Sequence, residues 1–176
     1  MKTFVEVGSC YFDTLNYLSD YGWRGVIVEP IKKHLDRLEQ KPNVHYINSA
    51  VDVVNGTREI RHAPDELIAR DSDFAGMSSF ISENPTLTER LVVNTITFED
   101  IFNLTGITQL DYLKIDAEGY DGFLLLNYPY HIIKPKFIQF ESKHKNVGLN
   151  DEAVDNLKEL GYHCEMDSDN TYCTLL

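Results

Sequence analysis

Short apolar runs alternate with amphipathic stretches along most of this chain. The apolar runs have the length and the β-branched or aromatic content of buried strands, and they occupy 3–7, 25–28, 44–51, 91–96, 110–115 and 137–140. Apolar residues at helical spacing predict helices at 14–21, 31–40, from 97 onward, 121–126 and 151–160. Runs at 162–166 and 172–176 flank the polar turn 167–170, which predicts a closing hairpin. This alternation predicts a three-layer α/β/α domain whose sheet is mostly parallel.

Two stretches interrupt the alternation. The Asn55-Gly56 turn predicts that 58–62 returns as the hairpin partner of the third strand, 44–51. Residues 63–84 keep neither a helical nor a strand period, and a loop of this length inside a small domain is usually either functional or disordered. We therefore expect one domain over 1–176, in which 63–84 is a substrate-covering loop.

Carboxylates follow two of the predicted strands. The apolar run 110–115 ends just before Asp116 and Glu118. The apolar run 137–140 is followed by Glu141 and His144. Open α/β sheets place their chemistry at the carboxyl ends of their strands. Alternatively, Asp116 caps the next helix and Glu118 lies at the positive end of that helix, which explains one acid better than two. We expect an active site at this edge of the sheet.

The residues that end the first two predicted strands indicate which cofactor the chain binds. Gly8 ends the first strand, where a ligand can approach the bare backbone, and Glu29 ends the second, where an acid can accept from both ribose hydroxyls. The two residues suit a dinucleotide or S-adenosylmethionine. The GxGxxG fingerprint for a pyrophosphate is missing, and the sulfonium cation of S-adenosylmethionine suits acids such as Glu6 and Asp13. The sequence therefore favours S-adenosylmethionine.

The charge and hydropathy of the chain limit the kinds of partner that it is expected to bind. The 176 residues carry a formal net charge of −12, and the basic residues are scattered, which disfavours binding to nucleic acid or to an anionic membrane. No apolar run reaches membrane-spanning length, and residues 1–3 lead directly into a strand, so we expect no signal peptide.

The three cysteines are Cys10, Cys164 and Cys173, an odd number without CxxC spacing. This favours a reducing compartment, a cytoplasmic location and no zinc site. Cys164 and Cys173 lie nearly opposite each other in the predicted hairpin, but we expect three reduced thiols. Cys10 should be the most reactive, since it lies in an open loop near a helix start.

With these elements in place, the chain resembles the FkbM-type family of class I S-adenosylmethionine-dependent methyltransferases, which methylate hydroxyl groups, often on sugars or polyketides. The resemblance implies a Rossmann-like methyltransferase fold with a seven-stranded sheet. It rests on six motifs: Phe4-Val5-Glu6-Val7-Gly8, Val28-Glu29-Pro30, Asn48-Ser49-Ala50-Val51, 93–98, Leu113-Lys114-Ile115-Asp116-Ala117-Glu118-Gly119 and Phe140-Glu141.

Roles for individual residues follow from the resemblance. Glu6 and Gly8 would line the methionine end of the cofactor, and Asp116 and Glu118 would face the reacting methyl group. Phe12 stands where the family usually has a second glycine, and Asp13 would compensate by reaching the amino group of the cofactor. Glu29 would hold the ribose, and Ser49, Ala50 and Val51 would lie beside the adenine. The predicted cofactor-binding set is Glu6, Gly8, Ser9, Asp13, Glu29, Pro30, Ser49, Ala50, Val51 and Asp116.

The predicted function is O-methylation of a hydroxyl on a sugar, a polysaccharide or another small molecule. A hydroxyl is a poor nucleophile, so a nearby base should assist, and the candidates are Asp116, Glu118, Glu141 and His144. Mg²⁺ held by these oxygens is an option that we do not favour, and we assign no metal ligand. The alternatives are an idle Rossmann-like binding module and, less favoured, an NAD-dependent reductase. A homo-oligomer is compatible with the sequence.

Overall fold

The computed structural model describes residues 1–12, 14–81, 84–143 and 149–176. Its strands in chain order are β1 (Thr3–Val7), β2 (Arg24–Val28), β3 (Val44–Ile47), β4 (Ala50–Val51), β5 (Gly56–His62), β6 (Glu89–Ile96), β7 (Tyr112–Ile115), β8 (Phe137–Glu141), β9 (Tyr162–Met166) and β10 (Asn170–Leu175). Its α-helices are α1 (Lys32–Leu35), α2 (Asp65–Arg70), α3 (Phe98–Thr105), α4 (Asp121–Leu126) and α5 (Asn150–Glu159). The segments Leu15–Tyr21 and Ser72–Ala75 are 3₁₀ helices.

Seven strands form the central sheet in the order β3-β2-β1-β7-β8-β10-β9. The strands β3, β2, β1, β7 and β8 are parallel to one another, and β10 and β9 are antiparallel. The predicted seven-stranded, mostly parallel sheet with a C-terminal antiparallel hairpin is therefore confirmed. The chain runs outward from β1 through β2 to β3 and later returns to the other side of β1 at β7. The crevice at such a reversal of strand order is the usual ligand site of these folds.

Parallel register aligns the carboxyl ends of four neighbouring strands. Val7 of β1 pairs with Val28 of β2 and with Ile115 of β7, and Ile115 pairs in turn with Phe140 of β8. The residues that immediately follow these aligned positions are Gly8, Glu29, Asp116 and Glu141. The register alone brings these four predicted site residues to one edge of the sheet.

Side chains that alternate along each strand point into two separate hydrophobic cores, one on each face of the sheet. Phe4 of β1 and Ile27 of β2 pack with Leu15 and Leu35 on the face covered by the first 3₁₀ helix and α1. Val5, Val7, Val26 and Val28 belong to the larger core on the opposite face, which α3, α4 and α5 cover. Helices on both faces of a central sheet form the three layers that the alternation predicted.

The helix ends predicted at Thr97 and Gly22 are confirmed. Thr97 accepts from the amide of Asp100 and begins α3, and Gly22 ends the first 3₁₀ helix with a φ of +79°. None of the helices in the described ranges has the length and the apolar character that a membrane span needs.

The predicted third strand, 44–51, is wrong as one element because it breaks after Ile47. The Asn48 side-chain amide donates to the carbonyls of Glu29 and Pro30, both at 2.9 Å, and turns the chain out of the central sheet. After Ser49, residues Ala50 and Val51 form β4, which pairs with β6 in a second sheet of order β4-β6-β5.

The predicted partner of 58–62 is also wrong, because β5 pairs antiparallel with β6 over its whole length. The Asn55-Gly56 turn favours pairing of β5 with the strand that precedes it in the sequence. The structure pairs β5 with the later strand β6, and this pairing buries a small core of Ala50, Ile60 and Val93. The segment 63–84 contains α2 and the second 3₁₀ helix, and α2 buries none of its residues, so it has no apolar periodicity to detect.

The cysteine prediction is wrong. Cys164 of β9 lies directly opposite Cys173 of β10, with their Cα atoms 4.1 Å apart, and the two are joined by a disulfide. Cys10 is a free cysteine, but it is buried, and burial together with the charge of Glu29 raises its thiol pKa to about 12. The expected reactive thiol is therefore protonated and shielded. The inference of a reducing, cytoplasmic compartment rested on unpaired thiols and loses that support.

Candidate active site

Two adjoining cavities open at the carboxyl edge of the central sheet. They share Gly8, Cys10, Gly76 and Asp116, so residues from β1, β7 and the segment 63–84 separate one from the other. One cavity is largely apolar and the other is rich in charge. This pairing provides space for two ligands that meet at the end of β1.

The apolar cavity lies between the ends of β1, β2 and β7 on one side and the strand β4 on the other. Ala50 and Val51 form its wall from β4, and Glu29 and Pro30 border it at the end of β2. Side chains from other elements complete the apolar wall: Val7, Val28, Ile60, Ala75, Phe80, Ala117, Tyr120 and Leu124.

Glu29 is held in place by backbone amides. Its Oε2 accepts from the amide of Cys10 and its Oε1 from the amide of Ile31, both at 2.8 Å. Burial raises the pKa of this carboxyl to about 7, although the two amides act in the opposite direction. His34 Nδ1 lies 3.8 Å from Glu29 Oε1, and burial together with the nearby Lys33 lowers the His34 pKa to about 4, so the ring stays neutral.

Gly8 makes the closest backbone approach in the site. Its φ is +76°, and a Cβ atom at this position would lie 1.8 Å from the carbonyl oxygen of Asp116. The turn after β1 can therefore pass over β7 only without a side chain. Cys10 also has a positive φ, of +47°, and thus supplies a left-handed residue in a loop that lacks a second glycine.

Glu6 does not occupy the position that the resemblance implied. The side chain is fully buried, and Oε2 accepts from Thr14 Oγ1 at 2.5 Å and from the Leu15 amide at 2.8 Å. Its other oxygen lies 3.3 Å from Lys114 Nζ. Glu6 thus anchors the first 3₁₀ helix and Lys114, and it is not among the described residues that line the two cavities.

Asp, Glu and Lys side chains supply half of the described residues that line the charged cavity. Asp116, Glu118 and Glu141 face it from the ends of β7 and β8, and ligand oxygens of the three lie within 4.8 Å of one another. Lys143 forms an ion pair with Glu141. The remaining lining residues are Gly8, Ser9, Cys10, Phe12, Asp73, Gly76, Met77 and Lys114.

Crowding of acids changes their proton affinity. Burial and the charge of Glu141 raise the pKa of Asp116 to about 6. Burial, followed by the charges of Glu141 and Asp116, raises the pKa of Glu118 to about 8. A carboxyl that titrates near neutral pH can take up a proton from a substrate and release it again.

Several residues of the site were missed by sequence reasoning. Arg58 donates to Asp52 Oδ2 at 2.9 Å and to the Tyr120 hydroxyl at 2.8 Å, and its guanidinium lies 4.2 Å from the ring centre of Phe80. This clamp fixes two aromatic walls of the apolar cavity. No pattern in the sequence links the four residues, because their contacts span strands and loops.

Most of the predicted site residues line the two cavities, and a few lie elsewhere or outside the described residues. Asp116, Glu118 and Glu141 are together, and Gly8, Ser9, Glu29, Pro30, Ala50 and Val51 line one or both cavities. Ser49 lies before β4, and it is not among the described lining residues. Asp13 and His144 were predicted for the cofactor and for catalysis, and both lie outside the described residues.

A mostly parallel α/β/α sheet with an apolar cavity at its carboxyl edge and an acid at the end of β2 is typical of Rossmann-like domains that bind a nucleoside-containing cofactor. The methyltransferase FkbM domain model matches residues 4–164. The chain belongs to the FkbM methyltransferase family, as the motifs predicted.

Three solved structures are similar to this chain at low sequence identity. A TehB-like S-adenosylmethionine-dependent methyltransferase from Corynebacterium glutamicum is 11% identical, with a TM-score of 0.49, over 99% of this chain and 80% of that chain. A fibrillarin/Nop5p complex is 10% identical, with a TM-score of 0.47, over 98% and 70%. An O-methyltransferase from Bacillus cereus in complex with SAH is 12% identical, with a TM-score of 0.42, over 98% and 74%. No curated protein matches the sequence.

Proposed function

We propose that this chain transfers a methyl group from S-adenosylmethionine to a hydroxyl group of a sugar, a polysaccharide or another small polyol. The observation that carries the proposal is the charged cavity, where three carboxyl groups converge next to the apolar cavity at the ends of β7 and β8. Carboxylates accept hydrogen bonds from hydroxyl groups, and one of them can serve as a base.

The apolar cavity fits the adenosyl group by the chemistry of its walls. Ala50, Val51 and Phe80 offer apolar surface for a base, and the Glu29 carboxylate retains lone pairs beyond the two amides that it accepts from. When bound, S-adenosylmethionine supplies a methyl group on a sulfonium sulfur that departs as a neutral thioether. Gly8, Cys10, Gly76 and Asp116 border both cavities, and this is where the methyl group and the acceptor would meet.

Glu118 is our candidate for the base. Its pKa of about 8 leaves a usable fraction ionised at neutral pH, and it retains a proton once it has accepted one. In the proposed step the carboxylate of Glu118 takes the proton of the acceptor hydroxyl while the hydroxyl oxygen bonds to the methyl carbon. Lys143 holds Glu141 in an ion pair, and Glu118 and Asp116 line the same cavity beside this pair.

The test is transfer of a labelled methyl group from S-adenosylmethionine to a panel of neutral glycans, polyols and phenols. We expect methyl ethers on at least one hydroxyl compound, and we expect Glu118→Gln to lower kcat by 10²-fold or more. Glu66→Gln, on an exposed face of α2, is the matched control. Binding of S-adenosylhomocysteine without transfer to any acceptor would support an idle module, and stabilisation by NAD instead would indicate a reductase.

Metal dependence is a separate prediction. The three carboxyls satisfy the spacing of a metal site, but Lys143 already pairs with Glu141. We therefore expect full activity in the presence of EDTA. The expected acceptor, the absence of nucleic-acid and membrane partners and a homo-oligomer also stay predictions.

A further inference from the structure

We propose that Ser79 is a positioning residue for Glu118: its side-chain hydroxyl grips the main chain of Glu118 and fixes the carboxyl in the charged cavity. The proposal rests on the proposed function only for the chemical role of Glu118. Its geometric content is independent of that role.

Glu118 has an unusual backbone that requires support. Its φ of +50° is in the left-handed region, which costs about 1–2 kcal/mol for a residue other than glycine. An extended side chain placed on such a residue is directed differently from one on ordinary loop backbone. The position of the carboxyl beside Asp116 and Glu141 therefore depends on contacts that keep this conformation.

One support comes from the following helix. The fully buried carboxyl of Asp121 accepts from the amides of Ala117 and Gly119, both at 3.1 Å. These two amides flank Glu118 in the sequence. Asp121 thus fixes the amide N–H groups of the residues before and after Glu118. The Glu118 carbonyl oxygen lies at the other end of the peptide group of the Gly119 amide, and it needs a donor of its own.

Ser79 holds that carbonyl group. Its Oγ donates to the Glu118 carbonyl oxygen at 2.8 Å, and the residue is 1% exposed, so solvent does not replace this bond. The contact joins residues 39 positions apart in the sequence. It is a link from the segment 63–84 to the acid that we assign as the base.

Ser79 can act as a support because its own backbone is fixed. Its amide and carbonyl exchange two 3.0 Å hydrogen bonds with Arg61 of β5, and its Oγ accepts from the Ile81 amide at 3.1 Å. The adjacent Phe80 packs edge to face on Tyr120, with ring centres 5.4 Å apart. The same short stretch therefore forms a wall of the cofactor cavity and restrains an acid in the acceptor cavity.

The first measurement is structural. Crystal structures of the wild-type protein and Ser79→Ala, each with S-adenosylhomocysteine, should show the Glu118 carboxyl displaced from Asp116 and Glu141 in the variant. A carboxyl that stays in place overturns the proposal, whatever the kinetics are. If Ser79→Ala does not fold, Ser79→Cys, which retains the size but is a weaker donor, takes its place with the same two outcomes.

The second measurement is kinetic. We expect Ser79→Ala to lower kcat about tenfold with less than a twofold change in KM for S-adenosylmethionine, and to have no further effect in a Glu118→Gln background. Ser19→Ala is the matched control, because Ser19 is also buried and donates to a backbone carbonyl, that of Asn16, at 2.7 Å. An equal loss in both backgrounds would mean that Ser79 acts on the fold and not through Glu118, which overturns the proposal.

The two measurements separate this proposal from the proposed function. If the carboxyl moves and Glu118→Gln retains full activity, Ser79 does position Glu118, but Glu118 is not the base. If the carboxyl moves and kcat falls only where Glu118 is intact, both the positioning and the base assignment are supported.

Discussion

The backbone amide of Cys10 donates a 2.8 Å hydrogen bond to Glu29 Oε2 and so ties the loop after β1 to the acid at the end of β2. Glu29 therefore has a structural task as well as its proposed contact with ribose. The bond also explains how a loop without a second glycine keeps its course, since Cys10 adopts a positive φ of +47° beneath this acceptor. A change at Glu29 should affect both the cofactor and the loop.

Glu29→Gln should weaken binding of S-adenosylhomocysteine by about 1–3 kcal/mol, or roughly 5- to 150-fold in Kd, because an amide offers one acceptor where the carboxylate offers two. Calorimetric titration measures the change. Glu39→Gln, at an exposed glutamate, should leave Kd unaltered. Equal affinities for wild type and Glu29→Gln would remove the ribose assignment.

Gly8→Ala should destabilise the protein far more than Gly22→Ala. The two glycines have nearly the same φ, +76° and +79°, but a Cβ at Gly22 meets nothing within 4 Å. We expect about 1–2 kcal/mol for Gly22→Ala, the cost of a left-handed non-glycine residue. The clash at Gly8 with Asp116 should raise the loss to about 4 kcal/mol or more. Urea unfolding of both variants measures the difference, and similar losses would contradict the close approach.

Stability of the protein without ligands should fall as pH rises from about 4.5 to 8. The pKa of Glu118 is raised to about 8 in the folded state, chiefly by burial, from an ordinary 4.5. Its contribution is thus fully present below the unfolded pKa and is lost as pH rises through the folded pKa. Glu29 and Asp116, with pKa values raised to about 7 and about 6, act in the same direction. His34, with its pKa lowered to about 4, acts in the opposite direction below about pH 6.5, but the three acids together outweigh it.

Glu118→Gln tests this dependence, because the amide has no proton to lose. We expect the variant to gain about 2–4 kcal/mol over wild type at pH 8 and nothing at pH 4. Chemical denaturation at several pH values supplies the measurement, with Glu66→Gln as the exposed control. A stability difference that is independent of pH would show that Glu118 ionises as easily in the folded protein as in the unfolded chain.

Thiol counting under denaturing, non-reducing conditions should give one free thiol, from Cys10. Reduction should then lower the free energy of unfolding by about 2–3 kcal/mol, as expected for a bridge across a sequence separation of 9 residues. Cys10→Ser should give no free thiol and the same response to reduction. Three thiols in the wild-type protein would mean that Cys164 and Cys173 are not joined.

Local sequence signals were sufficient for most of the fold. Buried parallel strands need continuous apolar runs, and helix ends need caps such as Thr97 and Gly22, so β1, β2, β7, β8, α3 and the closing hairpin could be located from the sequence. The acids that follow β2, β7 and β8 were found for the same reason, since the sequence shows directly which residue comes next after a strand.

Signals of this kind describe a residue's neighbours in the chain, and this limits what they decide. They are enough to predict the layered fold, the family and the residues at the carboxyl ends of the strands. They do not reveal that β5 pairs with β6, that Glu6 contacts Lys114 and not the cavities, that Cys164 bonds to Cys173, or that Ser79 contacts Glu118. Most of these contacts join groups that are far apart in the sequence. Which buried groups become partners is decided by the packing of the whole core, because a buried polar group must find a hydrogen-bond partner there.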